Sequence, residues 1–406
     1  MKRWIPGGAL LAALSATLLI AGCGSSGGSA SGGSGGGSGG GATAGLTPPQ
    51  AGTAVPSSIG KTEGHLNLIA WEGYAQPQWV KPFEQATGCQ VSAKYAGSSS
   101  EMVSLMANGG GGQYDLVSAS GDADLRLIYS GDVKPININL MPSWKNFHPF
   151  LQSPSFNTIG GKHYGISLQF GPNVLLYSKS AFPSAPTSWS VLYNKKYSGQ
   201  ITVPNNPIQI ADAALYLSKT QPGLGITDPY ELTQTQFNAA VTLLKQQQPL
   251  IKKYWDLASQ EISLFSSGTT VVGAAWPYQT NTLVADGRKV ADTIPAQGAT
   301  GWADTWMLAT KAPHPNCAYK WMQWATTPKV QAQQAVYFGE TPANKLACPI
   351  MDTIQKGSCA AYHANAPESY YKTIKFWKTP LAQCGNGKND CVPFQQWVSA
   401  WTQITG

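Results

Sequence analysis

Between Leu66 and Tyr129 short apolar runs alternate three times with segments of helical period, and this alternation restricts the fold more than any other feature of the chain. Leu66 to Trp71, Gln90 to Tyr95 and Tyr114 to Ser118 read as strands. Gln78 to Thr87, closed by Gly88, then Ser99 to Ala107 and Asp122 to Tyr129 read as helices. Strands joined by crossover helices build a parallel sheet wound in one hand. Ligands of such sheets bind beyond the carboxyl ends of the strands. Attention therefore falls on Trp71-Glu72-Gly73-Tyr74, on Ala96-Gly97-Ser98-Ser99 and on Ser118-Ala119-Ser120-Gly121-Asp122.

The 406 residues exceed the roughly 250–300 at which one core divides, so two lobes are expected. Gly165 to Tyr177 reads as a strand pair broken at Gly171-Pro172, a possible hinge crossing. Helical patterns follow at Ile210 to Ser218, Thr233 to Gln247 and Leu250 to Leu257, then a buried strand at Val271 to Trp276. Trp302 to Ala309 reads as another strand and Cys317 to Ala325 as a helix. A hydrophobic share of 42% excludes a disordered or fibrous chain, while only 12% of residues are charged, about half the usual share. Lys and Arg are scattered without a basic stripe, so nucleic acid is not an expected partner.

The N-terminus reads as an export signal: Lys2 and Arg3, an apolar run from Ala9 to Ile20, and small residues before Cys23. The sequence Leu19-Ile20-Ala21-Gly22-Cys23 resembles a bacterial lipobox, which would place a lipid on the Cys23 thiol. The apolar run is short for a membrane span. Residues 1–22 are thus expected to be a signal peptide, and 23–60, whose first part from Gly24 to Ala42 is only Gly, Ser and Ala, a lipidated flexible tether. The protein would sit outside the cytoplasm, anchored to the cell membrane as a lipoprotein.

Six cysteines remain after Cys23, an even number in an exported chain, which allows three disulfides. Cys348 with Cys359 and Cys384 with Cys391 would close short loops and leave Cys89 for Cys317, one of the 15 arrangements that six cysteines permit. No metal or other cofactor is expected: there is no Cys-x-x-Cys, and His65, His148, His163, His314 and His363 lack ligand spacing.

Trp302-Ala303-Asp304-Thr305-Trp306 is the most informative segment, because an extended chain puts Trp302, Asp304 and Trp306 on one face. A carboxylate between two indoles is costly to bury alone, so it meets either a cation or several hydrogen-bond donors of the chain. Indole faces also attract ammonium groups. Trp71, Glu72 and Tyr74 at one strand end and Trp276 and Tyr278 at another repeat the theme, each readable alone as a lid on the core and together as an aromatic cage. Ser99 belongs to a helix N-terminus that either caps itself or receives a carboxylate, and Asp122 is either the next cap or a second ammonium acceptor. Beyond the tether no nucleophile elbow occurs, and the chain carries no zinc-protease or P-loop motif.

With these residues the chain resembles the extracellular solute-binding proteins of ABC importers, specifically the spermidine/putrescine-binding family. The resemblance runs over most of Leu66 to Gly406 and rests on Trp71-Glu72-Gly73-Tyr74, Tyr114-Asp115-Leu116-Val117 leading to Ser120, Tyr164-Gly165-Ile166, Trp276, Gly301-Trp302-Ala303-Asp304 and Glu340-Thr341-Pro342-Ala343-Asn344. It implies a two-lobed α/β periplasmic-binding-protein-like fold of type II, with lobe 1 from 61–170 and 298–345 and lobe 2 from 171–297 and 346–406. It also implies that Trp71, Tyr74, Ser120, Trp276, Trp302 and Asp304 contact a small amine-bearing solute, with Asp304 on the ammonium group. A membrane permease would be the partner and the protein itself a monomer without enzymatic activity.

Where the family carries a pair of acids soon after the hinge, this chain reads Pro204-Asn205-Asn206-Pro207, and Asp122 stands where an aromatic is usual. That departure leaves putrescine, spermidine and a 4-aminobutyrate-like solute open. Two readings from other classes also stand at this point: a secreted hydrolase using Asp304 with Glu72 or Asp122 as a general acid–base pair, and a surface adhesion module.

Overall fold

The computed structural model describes residues 55–406. The signal segment, Cys23 and the tether up to residue 54 lie outside the described residues. In chain order the strands are β1 His65–Ala70, β2 Gln90–Tyr95, β3 Leu116–Ser120, β4 Val133–Lys134, β5 Thr158–Ile159, β6 Lys162–His163, β7 Gly165–Pro172 and β8 Val174–Ser178. They continue with β9 Ile201–Pro204, β10 Ile251–Trp255, β11 Val272–Ala275, β12 Val290–Thr293, β13 Ala299–Ala309, β14 Thr341–Pro342 and β15 Ile374–Phe376.

Two sheets define two lobes. The first has the order β14-β7-β13-β3-β1-β2, with β4 and β15 also paired to β13, and the second has the order β10-β9-β11-β8-β12. The crossover helices α1 Pro77–Thr87, α2 Ser99–Met106 and α3 Gly121–Tyr129 join β1, β2 and β3 as the alternation predicts, and β1 runs parallel to both neighbours. Gly88 ends α1 in the left-handed region (φ 72°), which costs glycine little. The sheet is nonetheless mixed, since β13 runs antiparallel to β3 and β7. β13 enters from the second lobe, at the carboxyl ends of β1 and β3, and so must run against them.

Two connections cross between the lobes near one another. Asn173 separates β7 from β8, so the break falls just after the expected Gly171-Pro172, and residues 294–298 join β12 to β13. Asn173 ties the crossings together: its backbone N–H donates to the Thr300 carbonyl (2.8 Å) and its side-chain amide to Thr300 Oγ1 (2.9 Å).

Two expectations are corrected. Leu250 to Leu257 is not a helix: Ile251–Trp255 forms β10, parallel to β9. A run of five residues containing Ile, Tyr and Trp is short enough for sheet pairing to decide its state. Residues 346–376 do not join the second lobe. The helix Cys348–Ile354 packs through Met351 against Ala332 and Ala335 of the helix Pro328–Phe338, and β15 extends the first sheet beside β13. Only from Trp377 does the tail cross over, ending in the helix Phe394–Thr405, whose Trp397 and Trp401 fill the second lobe's core.

The cysteines pair as Cys89–Cys317, Cys348–Cys359 and Cys384–Cys391. The first ties the loop before β2 to the helix Pro315–Ala325, and both sulfur-bearing residues are fully buried.

Candidate functional site

The carboxyl ends of β1 and β3 converge on Asp304, in the middle of β13. Its Cα stands in register with that of Ser120 across the β13–β3 pair. Ser120 Oγ donates to one carboxylate oxygen and the Tyr74 hydroxyl to the other. Tyr74 reaches it because the turn after β1 passes through Gly73 at φ 101°, where an added Cβ would lie 2.1 Å from the Phe338 ring. Glycine is therefore required there both for backbone conformation and for space. Asp304 is only 4% exposed. Burial raises its pKa to about 7, against the two hydrogen bonds and with the nearby Asp122 adding to the rise.

Further acids surround it in the first lobe. Asp122, in the first turn of α3, accepts a hydrogen bond from Ser99 Oγ (2.8 Å), and burial lifts it to about 6 in spite of that bond and of Arg126. The buried Asp124 is pushed well above the ordinary carboxylate range by desolvation, opposed by Thr305, with Asp122 and Asp304 contributing. Glu340 lies 3.4 Å from the Tyr74 hydroxyl and is raised likewise by burial and then by Asp304. Arg126 opposes the rise of Asp122, and its guanidinium lies over the Phe394 ring at 4.6 Å.

In the second lobe Asp212, on the helix Gln209–Thr220, accepts from Thr300 Oγ1 and is lifted to about 7 by burial. The phenol of Tyr230 is raised by burial and then by Asp212, Asp228 and Asp122, so acids of both lobes bear on one side chain. The Asn205-Asn206 pair does not take part: Asn205 bonds Asp256 and Trp401, and Asn206 caps its own turn at Ile208.

Trp302, Trp377 and Trp276 share one apolar cluster of the second lobe, and Trp276 meets Trp255 edge-on at 4.9 Å. Each of the three carries a buried indole N–H without a hydrogen-bond partner. Trp306 separates from Trp302, contrary to the expected pair of indoles around Asp304. β13 passes from the crossing into the first lobe, so Trp306 packs in that lobe's core against Trp321 (5.9 Å). Trp71 lies at the end of β1, its backbone N–H donating to Ser118 Oγ (3.1 Å). Glu72 is exposed; burial and then Glu72 raise the Tyr95 phenol, and burial, then Tyr278 of the second lobe and Glu72 raise that of Tyr337, which places Glu72 and Tyr278 near one another.

The structure thus joins Tyr74, Ser120 and Asp304 directly, Ser99 with Asp122, and Trp276 with Trp302, while Trp71, Glu72 and Tyr278 stand around them. It adds Asp124, Asp212, Glu340 and Trp377. A Trp-x-Asp spacing marks Asp304 and Glu340 opens a segment that carries the resemblance, but nothing local marks Asp124 or Asp212.

Gly171 of β7 carries the Trp302 ring: a Cβ there would lie 2.6 Å from Cζ2. Gly171→Ala is expected to displace the ring, cost about 1–3 kcal/mol, and weaken ligand binding roughly tenfold or more. Titration of the variant beside the wild type checks this; equal affinity would remove Trp302 from the binding surface.

The model of the family described as bacterial extracellular solute-binding protein matches residues 78–358. A putrescine/agmatine-binding protein of Pseudomonas aeruginosa is 24% identical over 328 residues, covering 77% of this chain and 87% of that protein. A gamma-aminobutyric acid-binding protein of the same organism is 22% identical over 333 residues, covering 80% of this chain and 90% of its own. Among solved structures, the TpPotD lipoprotein of Treponema pallidum superposes with a TM-score of 0.67 at 17% identity, covering 84% of this chain and 99% of that one. The family match spans more than half of the chain and sets aside the hydrolase and adhesion readings: this protein belongs to the bacterial extracellular solute-binding proteins, which bind and do not transform their solutes.

Proposed function

We propose that this protein captures a small amine-bearing solute between its lobes and presents it to an ABC permease, held at the outer face of the cell membrane through a lipid on Cys23 and working as a monomer. The observation that carries the reading is the cluster of the buried acids Asp122, Asp124 and Asp304 with the partly buried Glu340, all raised above the ordinary carboxylate range. Such a site repels anions and is destabilised in its ionised form unless a cation enters. Trp276, Trp302 and Trp377 would cover the methylene chain, whose ammonium group would meet Asp304. The names of relatives agree, since several bind putrescine or spermidine. No helix among the described residues is long and apolar enough to cross a membrane, which is compatible with attachment by lipid alone.

A second reading, a 4-aminobutyrate-like zwitterion, is favoured by the unpartnered indole N–H groups of Trp276, Trp302 and Trp377. A diamine brings only donors; a carboxylate would satisfy these indoles while the ammonium end meets the acids. Thermal unfolding against putrescine, spermidine, 4-aminobutyrate, basic amino acids and sugars separates the cases. A ligand at 100 times its Kd adds about 2.7 kcal/mol. A shift with sugars and none with amines would overturn the amine reading.

The raised acids give this test a pH signature. Asp304 and Asp122 titrate near 7 and 6 in the fold against an ordinary 3.8, so the folded protein binds protons that the unfolded chain has already released. The empty protein should therefore lose stability as pH rises from about 4 to about 7, while affinity for a cation rises over the same interval. Unfolding temperatures of the empty protein and amine titrations at pH 5 and pH 8 check both signs.

A further inference from the structure

Beside the crossing that leads into β13 lies a cavity of about 330 Å³ that no part of the amine reading uses. It is lined by Ser218 and Lys219 of the second lobe, Gln297 and Gly298 of the crossing, and Lys372 and Lys375 of the first lobe. The volume is at the small end of the range for small-molecule sites. Three lysines line it, and among the described residues none of them makes an ion pair. The neighbouring acids are already engaged: Asp228 and Glu231 both hold Lys378. Other polar groups of the wall are spent as well. Ser218 Oγ donates to the Leu215 carbonyl, Thr373 Oγ1 to that of Tyr370, and Gln297 Nε2 to Ser188. Lys219, Lys372 and Lys375 thus bring three ammonium groups without an ion pair to one cavity, a lining that attracts anions.

We propose that this cavity is a second ligand site, for a small anion carrying two or more carboxylate or phosphate groups. Its chemistry is the reverse of the acidic cleft, so the solute bound there cannot compete for it. Its walls belong to both lobes, and lobe movement must change its shape. The Tyr230 hydroxyl, whose ring feels the cleft acids, donates to the Lys375 carbonyl (2.7 Å) in the cavity wall. Anion and solute should therefore be linked, each changing the other's affinity by the same factor.

The test is calorimetric titration of the protein with citrate and with inorganic phosphate, first without any amine, so that its outcome does not depend on the identity of the solute. Saturable binding at or below roughly 1 mM is expected. Lys219→Ala, Lys372→Ala and Lys375→Ala together should weaken it at least about tenfold while leaving putrescine affinity without anion unchanged; all three residues are exposed, so the fold should persist. Vesicles of phosphatidylglycerol form a parallel arm: binding there that the triple variant loses assigns the anion to a lipid headgroup rather than a free solute. No saturation by either anion or by vesicles, or binding that the variant retains, would overturn the site. Equal putrescine affinity with and without saturating citrate would overturn its link to lobe closure.

Discussion

Asp304→Asn is expected to weaken amine binding by about 1.5–3 kcal/mol, roughly ten- to a hundredfold or more. The change removes the charge that meets the ammonium group. It also sets an amide N–H₂ against the Tyr74 and Ser120 hydroxyls, both of which now donate to the carboxylate. One of those donors must turn away, so the variant loses geometry as well as charge. Titration of putrescine at pH 8, where the wild-type carboxyl is ionised, measures the effect most clearly. The affinity of the variant should also lose most of its dependence on pH near 7. Affinity within twofold of the wild type would show that Asp304 is a buried acid satisfied by its own chain.

The second large effect concerns stability. Cys89 and Cys317 are 228 residues apart, and their bond joins the loop before β2 to the helix that follows β13. Closing so long a loop removes much freedom from the unfolded chain, and replacing both residues with Ala is expected to cost about 2–5 kcal/mol. The other two disulfides span 11 and 7 residues and constrain far less. Unfolding of the three double-Ala variants in denaturant should rank Cys89–Cys317 well above the others. Equal midpoints would place the stability of the first lobe in its buried aromatic core around Trp79, Trp306 and Trp321 instead.

What the sequence discloses is what local pattern encodes. β2 falls at Gln90–Tyr95, the residues whose alternation predicts it, and α1 stops at Gly88 because glycine there accepts a positive φ. The carboxyl ends of β1 and β3 and the middle of β13 meet, so Tyr74, Ser120 and Asp304, named from three distant segments, share hydrogen bonds. What stays hidden depends on which element lies beside which. Trp306 has the spacing of a cage residue, yet the four positions that separate it from Trp302 along β13 carry it into the core of the first lobe. Asp124 and Glu340 look like ordinary acids of a helix and a turn until the sheet surrounds them with Asp304 and Asp122. That Ile374–Phe376 closes on β13 before Trp377 crosses over is a pairing no periodicity announces. Asn205 and Asn206 mark a real departure in the sequence, and the fold uses them for internal bonds.

In the proposed function the acids around Asp304, covered by tryptophans, take up a solute through its ammonium group. Calorimetric titration with putrescine at pH 7, repeated in two buffers of different ionisation enthalpy, tests it directly. The account predicts one saturable site and release of protons to the buffer on binding, because the cation draws Asp304 and Asp122 into their ionised forms. Binding without proton release, or a neutral sugar binding where putrescine and 4-aminobutyrate do not, would contradict it.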